Sequence, residues 1–351
     1  MIPSRPLSLV DIIGETLSIS FRIFPRYALL LLILILPGIS LFTYGTSELS
    51  SQALVRARSD LALNDSDVTS LRNDFRVWMA KQNPMIEQEE RIFGVPDTIL
   101  APGRVSLHQV REYFESNLSQ FSNAWVLLGA GGLLLLLGAF GLLSSTIDLA
   151  CQYFEERGQN VAEALRSSIA RHLWILLGLY LVYFVAGLLV DVLFGLTAVL
   201  PNSVQAFFGS MITVIEIYIG IRLFATVPAV ISEEIGPIPA LRRSWRLTLG
   251  HGIRILGTSV GFGVILFLAA IVVSVIAGFA FGDVIEWCKE FLTAQVVTVP
   301  WILRSLPGFL WQLAGEITVF ILLLGAFFPV FVTVFYYDLR TRRDGALVYL
   351  D

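Results

Sequence analysis

Six runs of apolar, almost uncharged residues, each about 20 residues long or more, constrain this chain more than any other feature. Such a run matches the ~30 Å of hydrocarbon in a bilayer at a helical rise of about 1.5 Å per residue. Lipid offers no partner to an open backbone N–H or C=O, so each run must be helical. The composition agrees: 56% of the residues are hydrophobic and only 15% charged, with a mean hydropathy of +0.75. Soluble globular chains carry about 25% charged residues. The expected fold class is therefore an all-α integral membrane protein, a six-span helical bundle.

The spans are read at Tyr27–Tyr44, Trp125–Leu149 (continuing as helix to Arg157), Leu173–Leu200, Val204–Ile231, Ile253–Phe281 and Phe309–Tyr337. Residues 1–45 hold an N-terminal amphipathic helix and the first span. Residues 46–122 form a polar insert, and 123–351 hold five further spans, their amphipathic connections and a C-terminal tail. The apolar core of the first span begins only at Tyr27 and has no small-residue cleavage site after it. It is expected to be a permanent span rather than a signal peptide.

Arginine sets the orientation. The N-terminal, 2–3, 4–5 and C-terminal segments hold Arg5, Arg22, Arg26, Arg157, Arg166, Arg171, Arg242, Arg243, Arg246, Arg254, Arg340, Arg342 and Arg343. The short opposite loops hold only Lys289 and Arg304. The positive-inside rule then puts both termini in the cytoplasm and residues 46–122 outside. Cys151 and Cys288 would lie on opposite sides, which excludes a disulfide between them. With eight basic and eleven acidic residues the insert is well solvated. Leu71, Phe75, Trp78 and Met79 fall on one helical stripe there, and Leu107, Val110, Phe114, Leu118 and Phe121 on another. A small helical cap or a partner-binding segment would fit both.

Three segments repeat one pattern: 9–32, 160–179 and 236–257 each lead an amphipathic stretch into a span. Aligned, they superpose Leu17, Leu165 and Leu241, with Ser20, Ser168 and Ser244 three residues further on. The second and third copies are 76 residues apart, and the first and second 71 once the 77-residue insert is removed. Three repeats of an amphipathic helix plus two spans are therefore expected, related by an axis along the membrane normal. Val10, Ile13, Leu17 and Phe21, and likewise Ile238, Leu241, Trp245 and Leu249, have helical spacing. Helices of this kind lie in the headgroup layer, sealing the cytoplasmic rim or contacting anionic lipid. The candidate lipid contacts are Arg166, Arg171, Arg242, Arg243, Arg246, Tyr336, Tyr337 and Arg340.

Charges deep in spans are costly and mark candidate sites. Glu216 and Arg222 lie in the fourth span, Glu316 in the sixth and Asp191 in the third. Glu216 precedes Pro228 by 12 residues and Glu316 precedes Pro329 by 13, so the two glutamates occupy matching places in their repeats. Two readings stay open. The carboxylates are buried and arginine-paired to fix packing, or they line a polar cavity for a solute, proton or headgroup. Gly257 and Gly261 form a GxxxG, and Gly131, Gly132, Gly138 and Gly141 crowd the second span, as expected of close helix packing.

No GxGxxG, Walker A, HExxH, CxxC or GxSxG pattern occurs. His108, His172 and His251 are scattered, so neither a metal nor any other cofactor is expected, and the Glu87, Glu89 and Glu90 run reads as a solvated face. A net charge of −4 argues against nucleic acid as a partner. Membrane lipids, and proteins meeting residues 46–122 or the cytoplasmic face, are the expected partners.

The segments 239–257 (PALRRSWRLTLGHGIRILG) and 333–350 (TVFYYDLRTRRDGALVYL), together with 7–32, resemble the membrane domain of glycerophosphoryl diester phosphodiesterases and its free-standing relatives. The motif Tyr336-Tyr337-Asp338-Leu339-Arg340 is the most specific part, and only 46–122 stands outside the resemblance as an insertion. The resemblance implies a prokaryotic cytoplasmic-membrane protein with an accessory role. In the fused enzymes a separate soluble barrel carries the chemistry. This chain ends shortly after its last span, so phosphodiesterase activity is not expected of it. Tyr336 and Tyr337 read as an interfacial anchor, with Asp338 and Arg340 able to pair with the arginine-rich turns. The expected function is a non-catalytic membrane scaffold or lipid-interacting subunit; the alternative is a transporter component using Glu216 and Glu316.

Overall fold

The computed structural model describes residues 7–61, 67, 116, 121–156, 158, 160–196, 202–281 and 299–348. Every regular element among the described residues is helical. In chain order these are α1 (Leu9–Leu34), α2 (Leu36–Asp60), α3 (Ser122–Phe154), α4 (Val161–Ser167), a π-helical turn at Ser168–His172 and α5 (Leu173–Leu196). Then come α6 (Asn202–Leu223), α7 (Thr226–Glu233), α8 (Pro237–Thr248), α9 (Gly252–Phe281), α10 (Val299–Leu324) and α11 (Phe327–Val348). Six stretches are long and apolar enough to cross a membrane: Leu9–Ala57, Ser122–Phe154, Val161–Val190, Phe207–Glu233, Gly252–Gly278 and Arg304–Asp344. Each overlaps one of the spans read from the sequence. The protein is an all-α, multi-pass membrane bundle. Cys288, His108, Glu87, Glu89, Glu90 and both insert stripes up to Leu118 lie outside the described residues.

Local sequence sets where the helices start and stop. Ser8 and Asp11 form a capping box at the start of α1. The Asn160 side chain accepts from Ala162 N and Glu163 N to open α4. Prolines interrupt two spans at matching places. Pro228 lacks the N–H that Phe224 O would accept, and Pro329 the one for Gly325 O, so α6 gives way to α7 and α10 to α11 there. Side chains from neighbouring helices bond the backbone at both breaks. Ser244 Oγ donates to Arg222 O (2.7 Å) and accepts from Ala225 N (3.1 Å), and the Tyr27 hydroxyl donates to Ile321 O (2.6 Å).

The chain divides into two compact units. One gathers Met1–Leu36, Leu135–Val273 and Phe320–Asp351; the other gathers Pro37–Leu134 and Ser274–Val319. Within the second, α2 and α3 pack backbone to backbone: a Cβ on Gly131 would stand 2.5 Å from Phe42 N. Phe121 is buried there, with the Arg56 guanidinium 5.2 Å from its ring centroid.

The first unit is built around α11. Every residue from Pro329 to Leu339 is buried, so this stretch is covered on all sides, unlike a surface helix with one apolar stripe. Ile12, Ile19 and Ile23 of α1, Ile147 and Phe154 of α3, Val230 of α7, Leu247 of α8 and Phe262 of α9 share its core. Phe262 stacks on Phe331 with ring centroids 4.1 Å apart. The amphipathic helices dock by a face other than the apolar stripes suggest. Val10, Phe21, Ile238, Trp245 and Leu249 are exposed, whereas Ile12, Thr16, Ile19 and Ser20 of α1 and Ala240, Ser244, Leu247 and Thr248 of α8 are buried. Small residues beside Ile12, Ile19 and Leu247 allow close docking, and of the apolar stripes Ile13, Leu17 and Leu241 are half-buried while the rest face outward. Ser20, Ser168 and Ser244 are 1%, 0% and 0% exposed, so all three aligned serines point inward. The GxxxG of α9 does not mediate a close approach: a Cβ on Gly257 or Gly261 would meet nothing within 4 Å. Gly138 does, because a Cβ there would collide with Leu34 O.

Candidate functional site

The densest polar chemistry in the first unit sits where its apolar packing is tightest. Three consecutive residues of α11 turn about 100° apiece around the helix axis and so reach in different directions. The Tyr336 hydroxyl donates to Glu233 Oε1 at the end of α7 (2.6 Å). The Tyr337 hydroxyl donates to Glu155 Oε1 just past α3 (3.3 Å). Asp338 accepts from the Leu7 backbone N–H (2.7 Å), Arg254 Nη2 of α9 (3.1 Å) and Arg342 Nε one turn further along α11 (2.9 Å). The Leu7 carbonyl in turn accepts from Arg342 Nη2 (2.8 Å) and Arg254 Nη2. Both polar groups of the Leu7 backbone are therefore held at the point where the chain enters α1.

The cluster continues through Arg243. Its Nε donates to the Glu233 oxygen that Tyr336 also uses (2.9 Å), and its two terminal nitrogens grip Asp344 at 3.3 and 2.6 Å. The hydrogen bonds to Asp344 first, and to Glu233 after it, push the Arg243 guanidinium further above its ordinary pKa against the opposing effect of burial. Arg340 approaches the same Asp344 at 3.7 Å. The residues after the two hub glutamates, Glu156 and Glu234, take left-handed backbone with φ of 58° and 52°. Non-glycine residues adopt that region at a cost of about 1–2 kcal/mol, which the surrounding contacts offset.

Comparison with known proteins found no matching family model, no similar curated protein and no similar solved structure. The site's chemistry has to be read from its own residues. Acid faces base or hydroxyl at every position, and the arrangement neutralises charge instead of exposing a reactive group. Among the described residues no three His, Cys, Asp or Glu side chains are placed to share a metal ion.

The residues singled out in the sequence separate into three groups. Tyr336, Tyr337 and Arg243 belong to this cluster. Both tyrosines are 0% exposed, so they are not lipid-facing anchors as their place near the end of a span suggested. Arg243 is engaged by Glu233 and Asp344, and Arg340, about one third exposed, lies 3.7 Å from Asp344. Arg166, Arg171, Arg242 and Arg246 are exposed, Arg171 in an ion pair with Glu234. Glu216 lies in the first unit and Glu316 in the second, where it is half-buried. The Asp191 side chain lies outside the described ones. Glu216 is exposed and has no arginine partner among the described residues: six residues of helix put Arg222 about 120° around and ~9 Å along from it. Arg222 instead lies over the rings of Tyr218 and Trp245, at 4.9 and 5.4 Å.

Glu155, Glu233, Arg254 and the Leu7 backbone were not foreseen as partners of the motif. One signal was available. The pairs Glu155-Glu156 and Glu233-Glu234 are 78 residues apart, close to the repeat period, and both close a helix.

Proposed function

We propose that this chain is a non-catalytic, lipid-interacting membrane scaffold. In this reading three parallel units, each an amphipathic helix plus two spans, are locked together from the cytoplasmic side by the Tyr336-Tyr337-Asp338 hub. One observation carries the reading: three adjacent side chains of α11 bind the closing glutamate of one unit, the closing glutamate of another and the backbone that opens the first. The inward-pointing Ser20, Ser168 and Ser244, and the matching proline breaks in two spans, support the repeat. The arginine distribution supports cytoplasmic termini and an extracytoplasmic 46–122 segment in a prokaryotic plasma membrane. The resemblance to the phosphodiesterase membrane domain rests on the same motif, and a role for that motif in packing fits an accessory module.

The test is affinity purification of the full chain from its own membrane with mass spectrometry of bound protein and lipid, beside flux measurements in proteoliposomes. The scaffold reading expects co-purifying lipid and protein, with no solute flux. A pH-dependent flux lost in the Glu216→Gln/Glu316→Gln double variant, with folding intact, would replace it by the transporter reading.

A further inference from the structure

Arg222 is set against two aromatic rings and has no acidic partner among the described residues. Its guanidinium carbon is 4.9 Å from the Tyr218 ring centroid and 5.4 Å from that of Trp245. Its Nε and Nη1 are buried and make no hydrogen bond, so Nη2 is the donor left to meet a ligand. The helix above it adds further charge. Arg242, Trp245 and Arg246 of α8 follow at spacings of three and one residues and are all exposed, on the face opposite buried Ser244, Leu247 and Thr248, and Leu249 just past the helix end is exposed as well. The hydroxyls of Ser244 and Thr248 hold α8 by its inner face to the Arg222 carbonyl, and Trp245 at the edge of the outer face reaches the guanidinium.

The acids at the ends of α7 and α11 are engaged elsewhere. Glu233 and Asp344 are engaged by Arg243, and Glu234 by Arg171. Glu216, on the same helix, makes no ion pair with Arg222. The next helix in the chain, α9, exposes an apolar strip near its start: Ile253, Leu256 and Val260 are 91%, 44% and 58% exposed. Three guanidinium groups around an exposed indole, beside an aliphatic strip, match a molecule with a phosphate at one end and hydrocarbon at the other. Guanidinium favours phosphate because its planar donors fit the oxyanion, and Trp and Tyr settle at headgroup level.

We propose that the outer face of α8, with Arg222 beneath it, binds the phosphate headgroup of an anionic phospholipid. This deepens the lipid-interacting part of the function proposed above by giving it a site and a ligand class. The acyl chains run along Ile253, Leu256 and Val260, and Trp245 closes over the headgroup.

The test uses the full chain, delipidated in detergent, and follows its thermal unfolding as phosphatidylglycerol, phosphatidylcholine or inorganic phosphate is added. Phosphatidylglycerol is expected to raise the unfolding temperature at concentrations where the other two do nothing. Each basic residue at a membrane surface changes anionic-lipid affinity about fivefold, so Arg242→Gln/Arg246→Gln should raise the half-saturating concentration by roughly 30-fold. Both residues are exposed, and the lipid-free unfolding temperature of that variant should match wild type. Arg222→Gln should weaken binding as well, and Trp245→Phe should largely preserve it. The proposal is overturned if the double variant responds like wild type, or if phosphatidylcholine or phosphate alone gives the same response. Should wild-type chain carry lipid that the variants retain, this site fails while the scaffold reading survives; solute flux without bound lipid would remove both.

Discussion

Asp338 and Glu216 are both carboxylates on helices of the candidate spans, Asp338 one residue past the apolar run read from the sequence, yet their surroundings are opposite. Asp338 is 0% exposed and accepts hydrogen bonds from one backbone amide and two arginines. Glu216 is exposed on α6 among Val214, Ile215 and Ile217, which are 65%, 49% and 48% exposed, and no salt bridge reaches it among the described residues. Asp338 lies where α11 is enclosed by α1, α3, α7, α8 and α9; Glu216 lies on a helix with most of its surface open. A buried charge survives only with partners in place, so the same residue type is a structural keystone in one region and a local cost in the other.

The largest effect should come from removing the keystone. Asp338→Ala leaves two guanidiniums and the Leu7 amide without their acceptor, and loss of one partner of a buried pair costs about 3–5 kcal/mol. Unfolding midpoints in detergent would measure it, and a loss under about 1 kcal/mol would break the comparison with Glu216. Tyr336→Phe removes the 2.6 Å bond to Glu233 and should cost about 1.5–3 kcal/mol; Tyr337→Phe, with a 3.3 Å bond to Glu155, should cost about 1 kcal/mol. The reverse order would mean that the hub's weight lies on the α3 side.

His251 offers a pH handle beside the hub. Burial first, then the charges of Arg342 and Arg254, lower its pKa below 6.5, against a smaller opposing pull from Asp338. The unfolded chain then binds more protons than the folded one below that value. Stability is therefore full above about pH 6.5 and falls as the pH drops through it. His251→Gln should flatten this part of the pH–stability curve. Last, Glu216→Gln should alter stability by no more than about 0.5 kcal/mol, in keeping with an exposed position. A loss comparable to that of Asp338→Ala would show that Glu216 has a partner of its own.

Much of the architecture was legible in the chain. Apolar runs of bilayer length had to be helices, and all six appear as spans. Pro228 and Pro329 marked matching places in two spans, and the structure breaks both helices four residues before them. Other features were not legible, because hydropathy reports what a residue avoids and not which neighbour it meets. Val10 and Phe21 of α1 and Ile238 and Trp245 of α8 face outward because each helix docks by another face, where Ile12, Ile19 and Leu247 pack beside small residues. Tyr336 and Tyr337, placed by pattern at a membrane interface, are interior because α11 is enclosed on every side.

By itself, then, the sequence determined that this is a six-span helical membrane protein. It did so because backbone polar groups in lipid leave no alternative to the helix, and that constraint acts on each segment separately. Only the tertiary structure decided which charges are spent on one another. Glu155, Glu233, Arg254 and Leu7 are distant in the chain from Tyr336, Tyr337 and Asp338, and they meet only once the helices have packed. Hydrogen bonds between such groups depend on position to within tenths of an ångström, which no periodicity along the chain encodes.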